Sequence, residues 1–480
     1  MGGGQGVDGL TALSNLRAMG LPPATTPRTR FSHDDPPAQP YMAVGLLLVV
    51  VLSFGLWSLG RGWAQIDYFQ FWAVGRLAQS GVTDIYSEPA RQELAARIDT
   101  DVNAGSSVRA VQAAASWPVL QTYGTPFLFA LFGVLSTGDY DLDSGLWQLL
   151  SLGALIAAVL ALCACFRYSR PAGLFLLALI LAASGPLASD IRTGNVNQLQ
   201  VGILAAILVT RARWSVPRGD LASGVLLGLL VGFKPDAAPV VGALVVLWLL
   251  DRRFATCATA FLGMCLGGVA ALVVGALVWG SIQPWFDWIG ALGELAGRAQ
   301  YTVARGNYSL ARVALEATGV NLVIPLGAAL TVATTAAIWR SSLRPISAGV
   351  AIDDRGESTN GESRLRLQFE RECLVLGAAI AILLLASPLA WLHYFTLLVP
   401  LQLFLLRPGD VSEAPVRVRS RQLLVGGSIL LLAFGPIDTL VGSSPQVAAV
   451  QAIAAAAILL AVAIAELVLP DQRREWTGAD

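Results

Sequence analysis

Apolar runs of about bilayer-spanning length recur along this whole chain, and they leave few folds open to it. The hydrocarbon core of a membrane is about 30 Å thick, and a helix rising about 1.5 Å per residue crosses it in roughly 20 residues. Runs of this kind occupy residues 41–60, 145–166, 254–279, 320–339, 371–388, 390–406, 422–440 and 447–469, with shorter ones at 171–185, 197–210, 220–233 and 236–250. Backbone groups find no water inside a bilayer, so each run is predicted to be a helix that satisfies its own hydrogen bonds. A β-barrel would show short alternating strands instead. The expected fold is an all-α polytopic membrane protein, a bundle of about twelve transmembrane helices. Composition agrees, with 55% hydrophobic and 13% charged residues, where a soluble chain carries about a quarter charged.

Several function classes drop out. The formal net charge is +0, and the arginines sit in short loops without forming a basic domain, so no nucleic-acid partner is expected. No glycine-rich nucleotide motif follows a strand-like run, which argues against an ATP-driven pump. No His, Cys and carboxylate cluster calls for a metal, and no cofactor is predicted.

Arginine placement sets the expected orientation, because short cytoplasmic loops collect Lys and Arg. Arg167 and Arg170, then Arg211, Arg213 and Arg218, then Arg252 and Arg253, then Arg417, Arg419 and Arg421, and last Arg473 and Arg474 form the clusters. Alternating spans place all of them inside only if the short run 126–137 does not cross. Both termini are then cytoplasmic. Residues 1–40 read as a disordered tail, and 41–470 as the transmembrane domain. Its external loops are 61–144 and 280–319, its flexible cytoplasmic loop is 340–370, and 471–480 form a cytoplasmic tail. High Ala, Gly and Arg content suggests a GC-rich bacterium, and the expected location is the bacterial cytoplasmic membrane. Within the first external loop, residues 68–77 alternate aromatic and polar side chains at helical spacing, as a helix lying in the headgroup layer would. Ser87 is placed to cap a second helix there, with Pro89 in its first turn.

The polar residues beside these spans are the candidates for chemistry. Asp67 follows the first span. It reads either as an acceptor for a hydroxyl proton or as a solvated acid that ends a helix. Lys234, in Phe233-Lys234-Pro235-Asp236, falls on the outer side by the same alternation. It reads either as a ligand for a lipid phosphate or as a snorkelling cation. The outer connection Ser189–Gln198 is unusually polar. Asn195 or Asn197 could cap the next helix, while Arg192, Asn195, Asn197 and Gln198, with Asp190, together suit a sugar or phosphate. The chain has 2 His, and His393 is the one outside the N-terminal tail. It reads as a proton-transfer or phosphate-binding group, or as part of an aromatic belt. Arg305, before Asn307 and Ser309, is open to the same two readings, phosphate ligand or solvated loop.

In order and content these stations resemble glycosyltransferase family 87, membrane enzymes of the GT-C fold. The resemblance rests on Asp67 with its aromatic helix, Gly81 and Ile85-Tyr86, then Tyr123-Gly124-Thr125-Pro126. Gly194-Asn195-Val196-Asn197-Gln198, Phe233-Lys234-Pro235, Asn307-Tyr308-Ser309 and Ser387-Pro388 with Trp391 and His393 complete it. The chain departs from the family in lacking a Tyr-Pro-Pro-like motif at 123–126, in carrying Asn195 where the family has Gln, and in having Tyr394 where a second His is common. The resemblance implies a polyprenyl-phosphate-linked sugar donor, mannose or in some members arabinofuranose, and a glycolipid or glycan acceptor on the outer leaflet. It implies inverting transfer with Asp67 as general base, and with Lys234, His393 and Arg305 around the leaving phosphate. A transporter or lipid flippase is the alternative class. It would place its charges along a path at mid-membrane, whereas here they gather at one face.

Overall fold

A computed structural model describes residues 38–82, 84–103, 107–117, 119–120, 122–295, 302–343, 360–409, 413–441 and 444–469. The expected N-terminal tail up to residue 37, most of the 340–370 loop and the 471–480 tail lie outside them. The chain divides into two units, Met1–Tyr41 and Met42–Asp480. Of the first, only the opening of helix α1 (Ala38–Arg61) is described, and every other element belongs to the second.

After α1 come four helices that form a cap: α2 (Ile66–Gln79), α3 (Glu88–Asn103), α4 (Val108–Ala114) and α5 (Pro126–Leu135). Then the long helices begin, with α6 (Tyr140–Cys165), the bent pair α7 (Arg170–Ala183) and α8 (Gly185–Thr193), α9 (Asn197–Arg213), α10 (Val216–Phe233), α11 (Ala238–Leu250) and α12 (Phe254–Trp279). Two short helices, α13 (Gln283–Leu295) and α14 (Leu310–Thr318), precede α15 (Val323–Ser342) and α16 (Asn360–Ala386). A 3-10 segment, Leu392–Leu398, leads into α17 (Val399–Leu406), and α18 (Pro415–Val441) and α19 (Pro445–Val468) close the bundle. No strand occurs among the described residues.

Six of the described helices are long and apolar enough to cross a membrane: α1, α6, α10, α12, α15 and α19. The pair α7–α8, bent by 61°, makes a seventh if it is one span. The expected twelve are thus not reached by helices of spanning length. Two shorter apolar helices, Pro235–Leu250 and Leu392–Leu406, account for two of the remaining runs, and a third, Pro126–Leu135, is the short run expected not to cross. Hydropathy alone does not separate a spanning helix from a short one buried among others. At ten residues, α5 is about 15 Å long and too short to cross.

Buried arginines and acids tie one end of the bundle together. Arg211 at the end of α9 pairs with Glu372 of α16 and with Asp220 of α10 at 2.9 Å. Arg253 and the Trp248 indole also reach Glu372, at 2.7 and 2.9 Å. Arg371 binds Asp251 at 2.8 Å, and Arg421 binds Glu413 at 2.7 Å. Between the two ends, α10 and α12 approach through glycines. A Cβ on Gly224 or Gly228 would lie 2.2 or 2.3 Å from a backbone oxygen of α12, the close contact that small residues four apart permit. This packing carries α10 straight from Asp220 to Lys234 at the opposite end.

The expected headgroup-layer helix is α2, and it is more enclosed than a surface helix. Tyr68, Phe69, Trp72, Ala73 and Val74 are all buried, in a cluster with Phe129, Phe132, Tyr140 and Trp147. The sequence pattern concealed this because α5 and α6 cover the face that would otherwise meet lipid. Ser87 does cap α3, accepting from the Ala90 N–H at 3.4 Å.

Candidate active site

Asp67 is the second residue of α2, and the turn before it is held from three directions. Trp63 O accepts from Arg109 Nε at 2.9 Å, Ile66 O from Trp117 Nε1 at 2.8 Å, and Gln65 O from Tyr140 Oη at 3.2 Å; the same hydroxyl also donates to Ala64 O. Gln65 itself is left-handed, at φ 54°, a conformation uncommon for a residue with a Cβ. The surrounding structure therefore fixes where Asp67 points.

The Gly194–Gln198 turn closes on α2. Gly194 has φ 70°, and a Cβ there would sit 2.6 Å from Tyr68 Cβ, so only glycine allows the approach. Its carbonyl accepts from Trp147 Nε1 at 3.2 Å. The N-cap of α9 is Val196, with no side-chain capping bond. Neither Asn195 nor Asn197 is spent as a cap, and both side chains turn to the site.

Asn195 Nδ2 donates to Asp67 Oδ2 at 2.8 Å and faces His393 Nε2 at 3.1 Å, and the two partners are 3.7 Å apart. An amide nitrogen only donates. The Nε2 facing it is therefore the bare nitrogen of a neutral imidazole that carries its proton on Nδ1. His393 is 5% exposed, whereas the Asp67 side chain is 20% exposed. The carboxylate is the open end of this triad. Enclosure raises the Asp67 pKa above the ordinary carboxylate value, opposed by hydrogen bonds from Asn195 and Thr193 and by the charges of Lys234 and Arg192.

A second group adjoins it. Lys234 Nζ lies 3.2 Å from Asn197 Oδ1, 3.5 Å from Gln200 Oε1 and 3.7 Å from Asp236 Oδ2, and 4.0 Å above the Tyr394 ring. Asn197 Nδ2 donates to buried Asp190 Oδ1 at 2.8 Å. The Tyr394 ring in turn meets the His393 ring edge-on at 4.9 Å, joining the two groups.

His393 is placed by Asn307. Its amide donates to Pro388 O at 2.8 Å and accepts from Ala390 N at 3.0 Å, while Tyr308 N donates to Ala390 O at 2.7 Å. Ser309 caps α14. The Asn307-Tyr308-Ser309 stretch thus fastens the 387–391 turn.

Of the expected site residues, Asp67, Asn195, Asn197, Lys234 and His393 meet. Gln198 is buried beside them, with Oε1 lacking a hydrogen-bond partner. Arg192 is exposed, with its guanidinium 5.8 Å from the Trp63 ring centroid, and acts on Asp67 through its charge. Arg305 does not join them. It is exposed at the end of a 3-10 turn, Val303–Arg305, with no side-chain bond to the cluster. Tyr394 and Gln200 belong to the site without having been singled out. The signal for Tyr394 was its position beside the histidine; Gln200 lies inside an apolar run and gave none.

The family model of Glycosyltransferase family 87 matches residues 122–351. That match covers just under half of the chain and marks it as similar to glycosyltransferase family 87. The match, together with the apolar helices, supports a membrane glycosyltransferase in general terms. No curated protein and no solved structure matches the chain. The matched stretch holds Asn195, Asn197 and Lys234, while Asp67 and His393 come from outside it and reach it only through the fold.

Proposed function

We infer that this glycosyltransferase moves a sugar, with mannose the first candidate, from a polyprenyl-phosphate donor to a glycolipid or glycan acceptor. The site would open to the outer face of a bacterial cytoplasmic membrane. The observation that carries this reading is the junction of Asp67, Asn195 and His393 beside Lys234. One general base, with a cation near enough to act on it through its charge, is what displacement from a sugar phosphate needs. The arginine-rich bundle end lies opposite the site, and the positive-inside tendency would set that end in the cytoplasm.

In the proposed reaction the acceptor hydroxyl oxygen attacks the anomeric carbon from the side opposite the phosphate, inverting it. Asp67 takes the hydroxyl proton as the new C–O bond forms. The old bond between the anomeric carbon and the phosphate oxygen breaks, and its electron pair leaves with polyprenyl phosphate. The phosphate gains one negative charge in that step, and Lys234 stands to meet it. His393, neutral and held by Asn195, offers Nδ1–H as a donor. The raised Asp67 pKa makes a stronger base, and Asn195 and Lys234 keep it from rising further. Purified protein supplied with labelled polyprenyl-phosphate-mannose and, separately, its arabinofuranose analogue tests the reading. Turnover of neither donor with a membrane glycolipid extract would overturn it.

A further inference from the structure

The cap contains a buried cation that the proposed reaction does not use. The inward face of α3 is Arg91, Leu94, Ala95 and Ile98, all less than 9% exposed, on a helix whose other residues are mostly polar. Helical spacing puts an arginine where the pattern calls for an apolar side chain. Arg91 is 3% exposed, and its Nε and Nη2 are buried with no hydrogen-bond partner. Among the described residues no acid pairs with it, although buried arginines are almost always paired. An unopposed guanidinium in this state is a strong demand for an anion.

Its place in the cap says which anion. Arg91 O accepts from Leu120 N at 3.4 Å. Leu120 lies on the segment that runs between the two halves of the site. Upstream, Trp117 Nε1 binds the carbonyl of Ile66, next to Asp67; downstream, Thr125 Oγ1 binds Gly232 O at 2.6 Å, two residues before Lys234. We propose that Arg91 is an anion-binding residue of the cap, taking a phosphate ester of a lipid-linked ligand that bridges the cap and the site. The identification of the phosphate as lipid-linked rests on the transferase reading above. The anion demand does not. Guanidinium suits phosphate through paired, charge-assisted hydrogen bonds.

The test reads thermal stability, not turnover, of the full-length protein in phosphatidylcholine nanodiscs. Wild type is titrated with inorganic phosphate, with a short-chain polyprenyl phosphate, and in discs containing phosphatidylglycerol. Arg91→Met and Arg91→Lys are carried in parallel. The wild-type melting temperature is expected to rise with at least one of these phosphates. A rise with polyprenyl phosphate alone marks the substrate lipid, one with phosphatidylglycerol marks bulk headgroups, and one with inorganic phosphate marks a site for the free ion. Arg91→Met is expected to melt no lower than wild type without anion, because it removes an unopposed charge, and to lose the rise. Arg91→Lys is expected to keep the rise with affinity about tenfold weaker. Absence of any rise in wild type, an equal rise in Arg91→Met, or an anion-free Arg91→Met that melts well below wild type would each overturn the assignment. Asp67→Asn is expected to retain the full rise, so failure of the transfer chemistry leaves this result readable.

Discussion

The two polar ends of the bundle use the same residue types to opposite effect. At the arginine-rich end, Arg211, Glu372, Asp220 and Arg253 neutralise one another, and Trp248 Nε1 fills a remaining acceptor position on Glu372. At the other end, Asp67 is held by a neutral amide and a neutral imidazole, and Lys234 by amide oxygens, an aromatic face and a single acid, Asp236, at 3.7 Å. A closed ion-pair network has nothing left to offer a ligand, whereas a carboxylate and a cation steadied mainly by neutral groups keep more of their charge for one. The contrast marks which polar cluster is structural and which is set up for chemistry.

Four experiments would break or sharpen that contrast. Asp67→Asn should lower transfer about a hundredfold or more while leaving the melting temperature close to wild type; donor turnover and thermal unfolding measured on one preparation check both halves. Glu372→Gln should do the reverse. It leaves Arg253 without its acid and Arg211 with Asp220 alone, at a cost of about 3–5 kcal/mol, seen as earlier thermal unfolding with turnover per folded molecule unchanged. Should Glu372→Gln abolish turnover in protein that is still folded, the division between the ends is wrong. Lys234→Met should reduce kcat/KM for the donor by about tenfold or more, and Lys234→Arg should recover part of it. A wild-type-like donor kcat/KM in Lys234→Met would remove the cation from the phosphate role.

The smallest effect is a displacement of a pH profile. Asp67 works as a base only when ionised, and its pKa is raised, so activity is lost as pH falls through a value above the ordinary carboxylate range. The Asn195 hydrogen bond lowers that pKa. Asn195→Ala should therefore raise it and move the acid limb of kcat/KM to higher pH. An unmoved or downward-shifted limb would show that Asn195 does not tune the base.

Much of the site was legible because polar residues beside apolar runs are conspicuous. Asp67, Lys234 and His393 stood out for that reason, as did the Gly194–Gln198 turn. Their alternative readings could not be separated in one dimension. Asn195 and Asn197 are equally good caps and ligands until Val196 is seen to hold the cap position. Arg305 was chosen on the same grounds as Lys234, yet its 3-10 turn leaves it in solvent. Arg91 drew no notice, because an arginine in a polar loop looks ordinary until its helix is packed and its guanidinium is found without a partner.

Periodicity and hydropathy are local, additive properties, so the chain by itself determined that it would be helical, that it would enter a membrane, and which of its residues were chemically out of place there. Only the tertiary structure decided the number of helices of spanning length, the enclosure of α2, and the meeting of residues 67, 195, 234 and 393. Those depend on the bend between α7 and α8, on the glycine contacts of α10 with α12, and on Asn307 fastening the turn before His393. Each is a contact between segments far apart in sequence, set by the fit of surfaces that no local pattern records.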